Sequence, residues 1–218
     1  MGAIVVKRIP QLDIAKGIGI ILVVLGHALP TDSFVRLIIY SFHMPLFFFL
    51  SGLTLKKVKP EDNMKDIVPS EHKLFVTYIF YTIIFVLFDI VVRLCILHEI
   101  GIRSIVWNCY QAIVMFGVNV LWFLSSLLLG KILVRFLIQK NWKTEKYIGL
   151  IVTLFFVPSF ISLMLHNPDS GMEKLVWYPA ICILRTFIAS SFILAGYLYR
   201  DRYLNSKNIS GGGTATGF

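Results

Sequence analysis

Charged side chains are scarce in this sequence. Asp, Glu, Lys and Arg together make up 15% of its 218 residues, whereas 57% of the residues are hydrophobic. A soluble globular domain is about one-quarter charged and about half apolar, so both values are shifted towards a membrane protein. This composition leaves too few polar side chains to cover a water-soluble core, and it predicts a surface that faces lipid.

Acidic residues are the scarcer charge class, because 12 Asp and Glu stand against 21 Lys and Arg, which gives a formal net charge of +9. A positive balance is also found in nucleic-acid-binding domains. The basic residues here, however, lie mostly in short segments between apolar runs and form no continuous patch. Lys and Arg in cytoplasmic loops give the same total, so we expect no nucleic-acid partner.

The sequence also lacks motifs that would define other chemistry. It has three cysteines, Cys95, Cys109 and Cys182, with neither a CxxC motif nor the spacing of a metal site. They predict free thiols and no bound metal ion. No GxSxG and no GxxxxGK[ST] sequence is present, which argues against a serine-hydrolase elbow and against a phosphate-binding P-loop.

Long apolar runs are abundant instead. A helix needs about 20 mostly apolar residues to cross a lipid bilayer, and six windows meet this criterion. They are 12–29, 35–55, 74–97, 119–138, 147–165 and 179–199. Residues 102–117 are apolar but interrupted, which predicts an interfacial or re-entrant segment. The predicted fold class is therefore all-α, a polytopic membrane bundle of about six transmembrane helices.

The basic residues alternate along the chain in a way that predicts its orientation. They concentrate before the first window, between the second and third, between the fourth and fifth, and after the sixth. The positive-inside rule assigns all these segments to the cytoplasmic side. Both termini are then cytoplasmic, in a multi-pass protein of the cell membrane.

The C-terminal end differs in composition from the rest of the chain. Residues 210–218 include three consecutive glycines and few large side chains. We therefore predict a membrane domain over residues 1–205 and a flexible, low-complexity tail over residues 206–218.

The first window carries ionisable residues along one helical face. Lys16 and His27 are eleven positions apart, which places them on nearly the same face and about 16 Å apart along the axis. Asp13 lies three residues before Lys16, close enough to pair with it. Ionisable groups are costly in hydrocarbon, so this face is expected to point into the bundle. Taken singly, each residue is explained equally well by a structural role, in a helix-start ion pair or as an interfacial histidine, and by a functional role. Their common face, followed by the next segment, favours a functional role.

The second window contains the run Ser41-Phe42-His43-Met44-Pro45. A proline removes a backbone donor and frees a carbonyl group, so we expect a break in the helix near Pro45. A histidine beside a helix break is suited to the wall of a pocket, which is the role we predict for His43.

These two windows resemble a known family. Leu12-Asp13-Ile14-Ala15-Lys16-Gly17-Ile18-Gly19-Ile20 leads to Gly26-His27, and Ser41-Phe42-His43-Met44-Pro45 and Phe49-Leu50-Ser51-Gly52 follow. The combination resembles the type 3 integral membrane acyltransferases, whose hallmark is a basic residue, ten intervening residues and a histidine, as in Lys16 and His27. Leu121-Trp122-Phe123-Leu124 and Ala195-Gly196-Tyr197-Leu198 are similar to further family signatures.

The resemblance implies O-acyl transfer, in the simplest case O-acetyl transfer, from cytoplasmic acyl-CoA (acetyl-CoA) to a hydroxyl of an extracytoplasmic glycan or cell-envelope acceptor. Many members carry Arg where this chain has Lys16, which offers a point charge instead of a planar fork. Members also usually have more spans, so the resemblance implies a partial family domain. An inactive fragment and a homo-oligomer are therefore open alternatives.

Residue roles follow from acyl-transfer chemistry and from the resemblance. A hydroxyl group attacks once a base takes its proton, and histidine has a suitable pKa, so we assign the base to His27. An acyl-histidine intermediate is the chemical alternative. Lys16 would attract the phosphates of the donor or hold Asp13, which completes the catalytic set. The substrate-binding candidates are His43, Pro45, Ser41, Trp122 and Arg185.

Two further features leave alternatives open. Arg185 lies inside the sixth window, where it either contacts a ligand or pairs with another side chain. Asp89 and Arg93, four residues apart in the third window, predict an ion pair within one helix. A polar stripe in a membrane helix also suits a substrate-translocating domain, which is the alternative to acyl transfer.

Overall fold

The structure, a computed structural model, describes residues 10–55, 71–98, 101–165 and 171–210. In these ranges the regular structure is helical, with no β-strand, so the all-α prediction is confirmed. The helices are α1 (Pro10–Ala28), α2 (Phe34–Leu53), α3 (His72–Val92), α4 (Ile102–Ile113), α5 (Trp122–Ile138), α6 (Thr144–Met164) and α7 (Gly171–Ser210). A π-helical turn, Arg93–Leu97, extends α3, and a 3₁₀ turn, Asn119–Leu121, precedes α5.

Six of these helices are long and apolar enough to cross a membrane, each with its flanking turn where one is present. They are Pro10–Ala28, Phe34–Leu53, His72–Ile96, Asn119–Ile138, Thr144–Met164 and Gly171–Arg200. The six predicted windows coincide with them, and the polytopic bundle is confirmed. The largest difference is in α7, which begins at Gly171 and contains Pro179 inside the helix.

Two predictions depend on residues outside the described ranges. The orientation of the chain rests largely on basic residues at positions 7–8 and 56–65, and it stays a prediction. The domain boundary at residue 205 also stays a prediction, because α7 continues across it to Ser210 and residues 211–218 are not described.

Residues 102–117 form a short helix and a turn that pack along α3. The 12 residues of α4 span about 18 Å, which is too short to cross a bilayer. The Tyr78 hydroxyl donates to the Ala112 carbonyl (3.1 Å), whereas Ser104 donates to Asp89 (2.8 Å) further along α3. The short helix α4 therefore runs antiparallel to α3 and packs along it, and its interfacial or re-entrant position in the membrane stays a prediction.

The predicted ion pair between Asp89 and Arg93 is confirmed. Arg93 Nε lies 3.2 Å from both carboxylate oxygens of Asp89. Ser104 Oγ and Asn108 Nδ2 of α4 donate to the same carboxylate at 2.8 and 3.3 Å. The ion pair thus also attaches α4 to α3, which is a role that its spacing within one helix did not reveal.

The core lies where α7 packs against α2, α5 and α6. Its buried side chains are Phe48, Leu55, Val134, Tyr147, Ala189, Ile193 and Leu194. Two glycines allow α2 and α7 to touch, because a Cβ at Gly52 would lie 2.0 Å from the Ile193 carbonyl oxygen and one at Gly196 would lie 2.1 Å from the Phe49 carbonyl oxygen. Small residues at a crossing are a common way to bring membrane helices together.

A buried ion-pair network joins the start of α3 to α5. Glu71, which precedes α3, is 3% exposed and accepts from Lys131 Nζ at 2.7 Å and from Arg135 Nε at 3.0 Å. Two cations thus share one carboxylate. The partners lie 60 and 64 positions apart in the chain, so the contact depends entirely on how the helices pack.

The expected helix break at Pro45 is wrong. The helix α2 runs without interruption from Phe34 to Leu53, with Pro45 inside it. A proline removes a single backbone hydrogen bond, to the carbonyl four residues earlier, and membrane helices tolerate that loss. His43 therefore lies on a regular helical surface.

Candidate active site

Helices α1 and α2 approach each other closely next to His27. Gly26 is buried against α2, and a Cβ at this position would lie 2.7 Å from the Tyr40 ring. The approach brings Tyr40 Oη within 3.2 Å of His27 Nδ1. The His27 side chain itself is exposed, so the described part of the protein leaves its ring uncovered.

His43 also contacts Tyr40, and it is buried. It is 4% exposed, and its ring centroid lies 5.1 Å from that of Tyr40. His43 Nδ1 is 2.7 Å from the Ile39 carbonyl oxygen. Because a carbonyl oxygen only accepts hydrogen bonds, Nδ1 carries the proton, and the lone pair of the neutral ring is on Nε2. His43 is thus held in one tautomer, and its predicted place in a pocket wall stays a prediction.

Arg36 and Tyr40 complete this group, although neither was among the predicted site residues. The Arg36 guanidinium carbon lies 5.0 Å from the Tyr40 ring centroid, and Nη1 donates to the Leu29 carbonyl at 3.1 Å. Arg36, Tyr40 and His43 follow i, i+4, i+7 spacing, which places them on one face of α2 and was the available sequence signal. We call His27, Arg36, Tyr40 and His43 the histidine–tyrosine cluster.

The other two predicted catalytic residues, Asp13 and Lys16, lie nearer the start of α1. Because α1 is one continuous helix, Lys16 and His27 are separated by about 16 Å along its axis, as expected. Lys16 is half-buried, whereas Asp13, like His27, is exposed. The expectation that this face points into the bundle is therefore wrong for Asp13 and His27. The predicted pair between Asp13 and Lys16 stays a prediction.

Ser41 and Pro45 are on α2, outside the histidine–tyrosine cluster. The Ser41 hydroxyl is exposed and donates to the Ile38 carbonyl at 2.7 Å. Pro45 is half-buried within the helix. Their predicted part in substrate binding stays a prediction.

Arg185 of α7 and Trp122 of α5 are brought together, although they are distant in the chain. The Arg185 guanidinium carbon lies 5.2 Å from the Trp122 ring and 4.8 Å from the Phe116 ring, both measured to the centroid. Phe116 stacks on Tyr178 with centroids 3.9 Å apart and planes inclined by 7°. We call Arg185, Trp122, Phe116 and Tyr178 the arginine–aromatic cluster.

Tyr110 connects α4 to the start of α7 beside this cluster. Its hydroxyl donates to the Leu175 carbonyl. Burial raises the pKa of Tyr110, and the nearby Tyr178 raises it further. The hydroxyl therefore stays protonated near neutral pH and remains a donor.

A line of aromatic rings joins the arginine–aromatic cluster to α2. The Phe123 ring centroid lies 6.4 Å from that of Trp122, and it lies 5.9 Å from Phe47 and 5.0 Å from Phe48. Phe47 is four residues, or about one helical turn, beyond His43. The ring contacts through Phe123 therefore connect the arginine–aromatic cluster to α2, about one helical turn from the histidine–tyrosine cluster.

Other parts of the described structure offer less chemistry for acyl transfer. An apolar groove of about 490 Å³ between α5 and α7 is lined by residues such as Leu129, Leu133 and Phe187, and none of its lining side chains is charged. No three His, Cys, Asp or Glu side chains of the described ranges are grouped as a metal site requires. The two clusters are therefore the candidates for substrate chemistry.

The six spanning helices define a polytopic membrane protein, and the histidine–tyrosine cluster provides it with groups suited to proton transfer. A family model, described as an acyltransferase domain, matches residues 9–212. The chain therefore belongs to the type 3 acyltransferase family, and the resemblance drawn from its motifs is confirmed. No curated protein and no solved structure matches the chain.

Proposed function

We propose that this protein is a membrane-bound O-acyltransferase that moves an acyl group, in the simplest case acetyl, from acyl-CoA to a hydroxyl of a glycan or cell-envelope acceptor. Family membership supports the reaction class. The observation that carries the proposal is the histidine–tyrosine cluster, in which an exposed imidazole and a buried one both contact the same phenol. Such a group can accept and return a proton near neutral pH.

His27 acts as the base in this mechanism. Its contact with Tyr40 uses Nδ1, so Nε2 is the nitrogen that takes the proton when Nδ1–H donates to the phenol oxygen. The acceptor oxygen then bonds to the thioester carbonyl carbon, and the carbon–sulfur bond breaks. The imidazolium returns its proton to the departing thiolate, so the base is restored at the end of each cycle.

Positive charge on both helices suits an anionic donor and a negatively charged transition state. Lys16, nearer the start of α1, attracts the donor phosphates as a point charge. Arg36 provides a permanent charge beside Tyr40, where it favours the negative charge that develops on the thioester oxygen. These roles divide donor binding and chemistry between the two ends of α1.

Replacing His27 tests the proposal. The purified chain in lipid nanodiscs is mixed with acetyl-CoA and a panel of hydroxyl-bearing sugars, and release of free CoA is measured with and without acceptor. We expect acceptor-dependent release by the wild type and a fall of about 100-fold or more in His27→Ala, because a general base contributes about 10²–10⁴ in rate.

His72→Ala is the matched control, since His72 is an exposed histidine at the start of α3, outside both clusters. It is expected to keep the wild-type rate. Equal rates in wild type and His27→Ala would remove His27 from the mechanism. A wild type that transfers acyl groups to no acceptor in the panel would contradict the proposed function.

A further inference from the structure

Arg185 is a charged side chain in an apolar part of α7. It follows Ile183 and Leu184 and lies within a helix of spanning length. Charged residues at such positions are retained where they face a cavity, a partner or a ligand, because hydrocarbon penalises an isolated charge. The surroundings of Arg185 therefore indicate which of these applies.

The described residues provide no acidic partner for Arg185. The ion pairs of Arg93, Lys131 and Arg135 do not include Arg185, and the contacts recorded for Arg185 are with the Phe116 and Trp122 rings. Ring faces attract the positive charge but accept no hydrogen bond in the guanidinium plane. Among the described residues, no side-chain nitrogen or oxygen is both fully buried and without a hydrogen-bond partner. Because no hydrogen bond is recorded for the Arg185 guanidinium, its N–H groups are accessible from outside the protein.

The Arg185 guanidinium requires a hydrogen-bond acceptor of matching geometry. The two rings hold the guanidinium in place, and its fork of N–H donors is available to an acceptor. A guanidinium fork matches the paired oxygens of a carboxylate or a phosphate, which form short, charge-assisted hydrogen bonds with it. The line of rings through Phe123 connects this fork to α2 about one turn from His43.

We infer that Arg185 binds an oxyanion, either carboxylate or phosphate, carried by the acceptor, and that Trp122 contacts the same acceptor. The acceptor class is thus an acidic glycan or a phosphorylated glycan. The identity of the ligand as an acceptor rests on the proposed acyl transfer, whereas the anion site itself does not. Binding and transfer are therefore measured separately.

Ligand-observed NMR with the purified full chain tests the anion site. The probes are glucuronate, glucose 6-phosphate and glucose, which share a sugar ring and differ in the anionic group. We expect the acidic probes to bind about tenfold or more tightly than glucose, and we expect Arg185→Gln to abolish this difference. Whichever acidic probe binds more tightly identifies the source of the oxyanion.

Two variants control for charge and for folding. Arg103→Gln removes an exposed arginine of α4 and is expected to keep the preference for acidic probes. Arg185→Lys keeps the charge but loses the fork, so it should retain part of the preference even where Arg185→Gln fails to fold. Equal binding of glucose and the acidic probes to the wild type, or an unchanged preference in Arg185→Lys together with Arg185→Gln, would overturn the inference.

Acyl transfer to the same sugars separates this inference from the proposed function. Transfer to none of them, with anion binding intact, contradicts the function and leaves the anion site standing. Equal transfer to glucose and glucuronate contradicts the acceptor assignment and leaves the function standing. Displacement of bound glucuronate by acetyl-CoA would assign Arg185 to the donor and overturn the assignment as well.

Discussion

His27 and His43 share Tyr40 as a neighbour, yet their ring nitrogens are held by different kinds of partner. His43 faces a carbonyl oxygen, which can only accept, whereas His27 faces a phenol, which can donate or accept. The tautomer of His27 is therefore free to change during a reaction, and that of His43 is not. This difference makes the Tyr40 hydroxyl the group whose loss should affect His27 selectively.

Tyr40→Phe removes that hydroxyl and keeps the ring that contacts Arg36 and His43. We expect kcat to fall about threefold to tenfold, because one hydrogen bond contributes about 1 kcal/mol and each 1.36 kcal/mol is a factor of ten in rate. KM for acyl-CoA should stay unchanged, since the donor phosphates are assigned to Lys16. Steady-state kinetics in nanodiscs measures both constants.

Tyr81→Phe is the control for this substitution, because Tyr81 is an exposed tyrosine of α3. It is expected to leave kcat and KM unchanged. A Tyr40→Phe variant with the wild-type kcat would show that the contact between Tyr40 and His27 has no part in the reaction.

At the scale of helices, the crossing of α2 and α7 determines the direction in which the side chains of α2 face. Gly52 and Gly196 lie at the contact, and each has a backbone carbonyl of the other helix where a Cβ would be. A backbone atom cannot rotate away as a side chain can. The crossing therefore depends on both glycines, and through α2 it also supports the surface that carries Tyr40 and His43.

Gly196→Ala should destabilise the protein by about 1–3 kcal/mol, the usual cost of an added methyl group in a close-packed core. Alanine is intrinsically better than glycine in a helix by about 1 kcal/mol, so the clash with the Phe49 carbonyl oxygen, 2.1 Å from the added Cβ, has to outweigh that gain. Unfolding in detergent with increasing SDS measures the difference.

Gly149→Ala in α6 isolates the helix-propensity effect, because no atom lies within 4 Å of a Cβ there. This variant is expected to be as stable as the wild type or slightly more stable. If both variants behaved alike, the close contact between α2 and α7 would be of no energetic importance.

At the scale of the whole molecule, the charges of the turns predict the orientation in the membrane. The turn between α5 and α6 contains Lys140 and Lys143 and is followed by Lys146, whereas the turn between α1 and α2 contains Asp32 and is followed by a single basic residue, Arg36. The positive-inside rule assigns the first turn to the cytoplasm and the second to the outside, which gives cytoplasmic termini.

Cysteine labelling tests this orientation in a variant whose three native cysteines are replaced by serine. An impermeant maleimide added outside intact cells should label Asp32→Cys and should label Thr144→Cys only after permeabilisation. Both positions are exposed, so access depends on the side of the membrane. The reverse pattern would place both termini outside, and labelling of both positions from one side would contradict the six-span topology.

The candidate site was partly predictable from the sequence. His27, His43 and Lys16 belong to motifs that can be recognised by residue type and spacing alone. Arg36 and Tyr40 were overlooked, because a spacing of i, i+4, i+7 is common in helices and indicates a face without indicating what it contacts. The contact of Tyr40 with His27 depends on Gly26, which allows α1 and α2 to approach.

The sequence by itself determined the number and order of the spans, the family and the Asp89–Arg93 pair. Each of these depends on a local property, namely the length of an apolar run, a motif or a spacing within one helix. Only the tertiary structure decided that Arg185 lies against Trp122 and Phe116, and that Glu71 holds Lys131 and Arg135. These contacts depend on how each helix is rotated about its axis and packed on its neighbours, and in a bilayer that packing follows close fit and polar pairing instead of hydropathy.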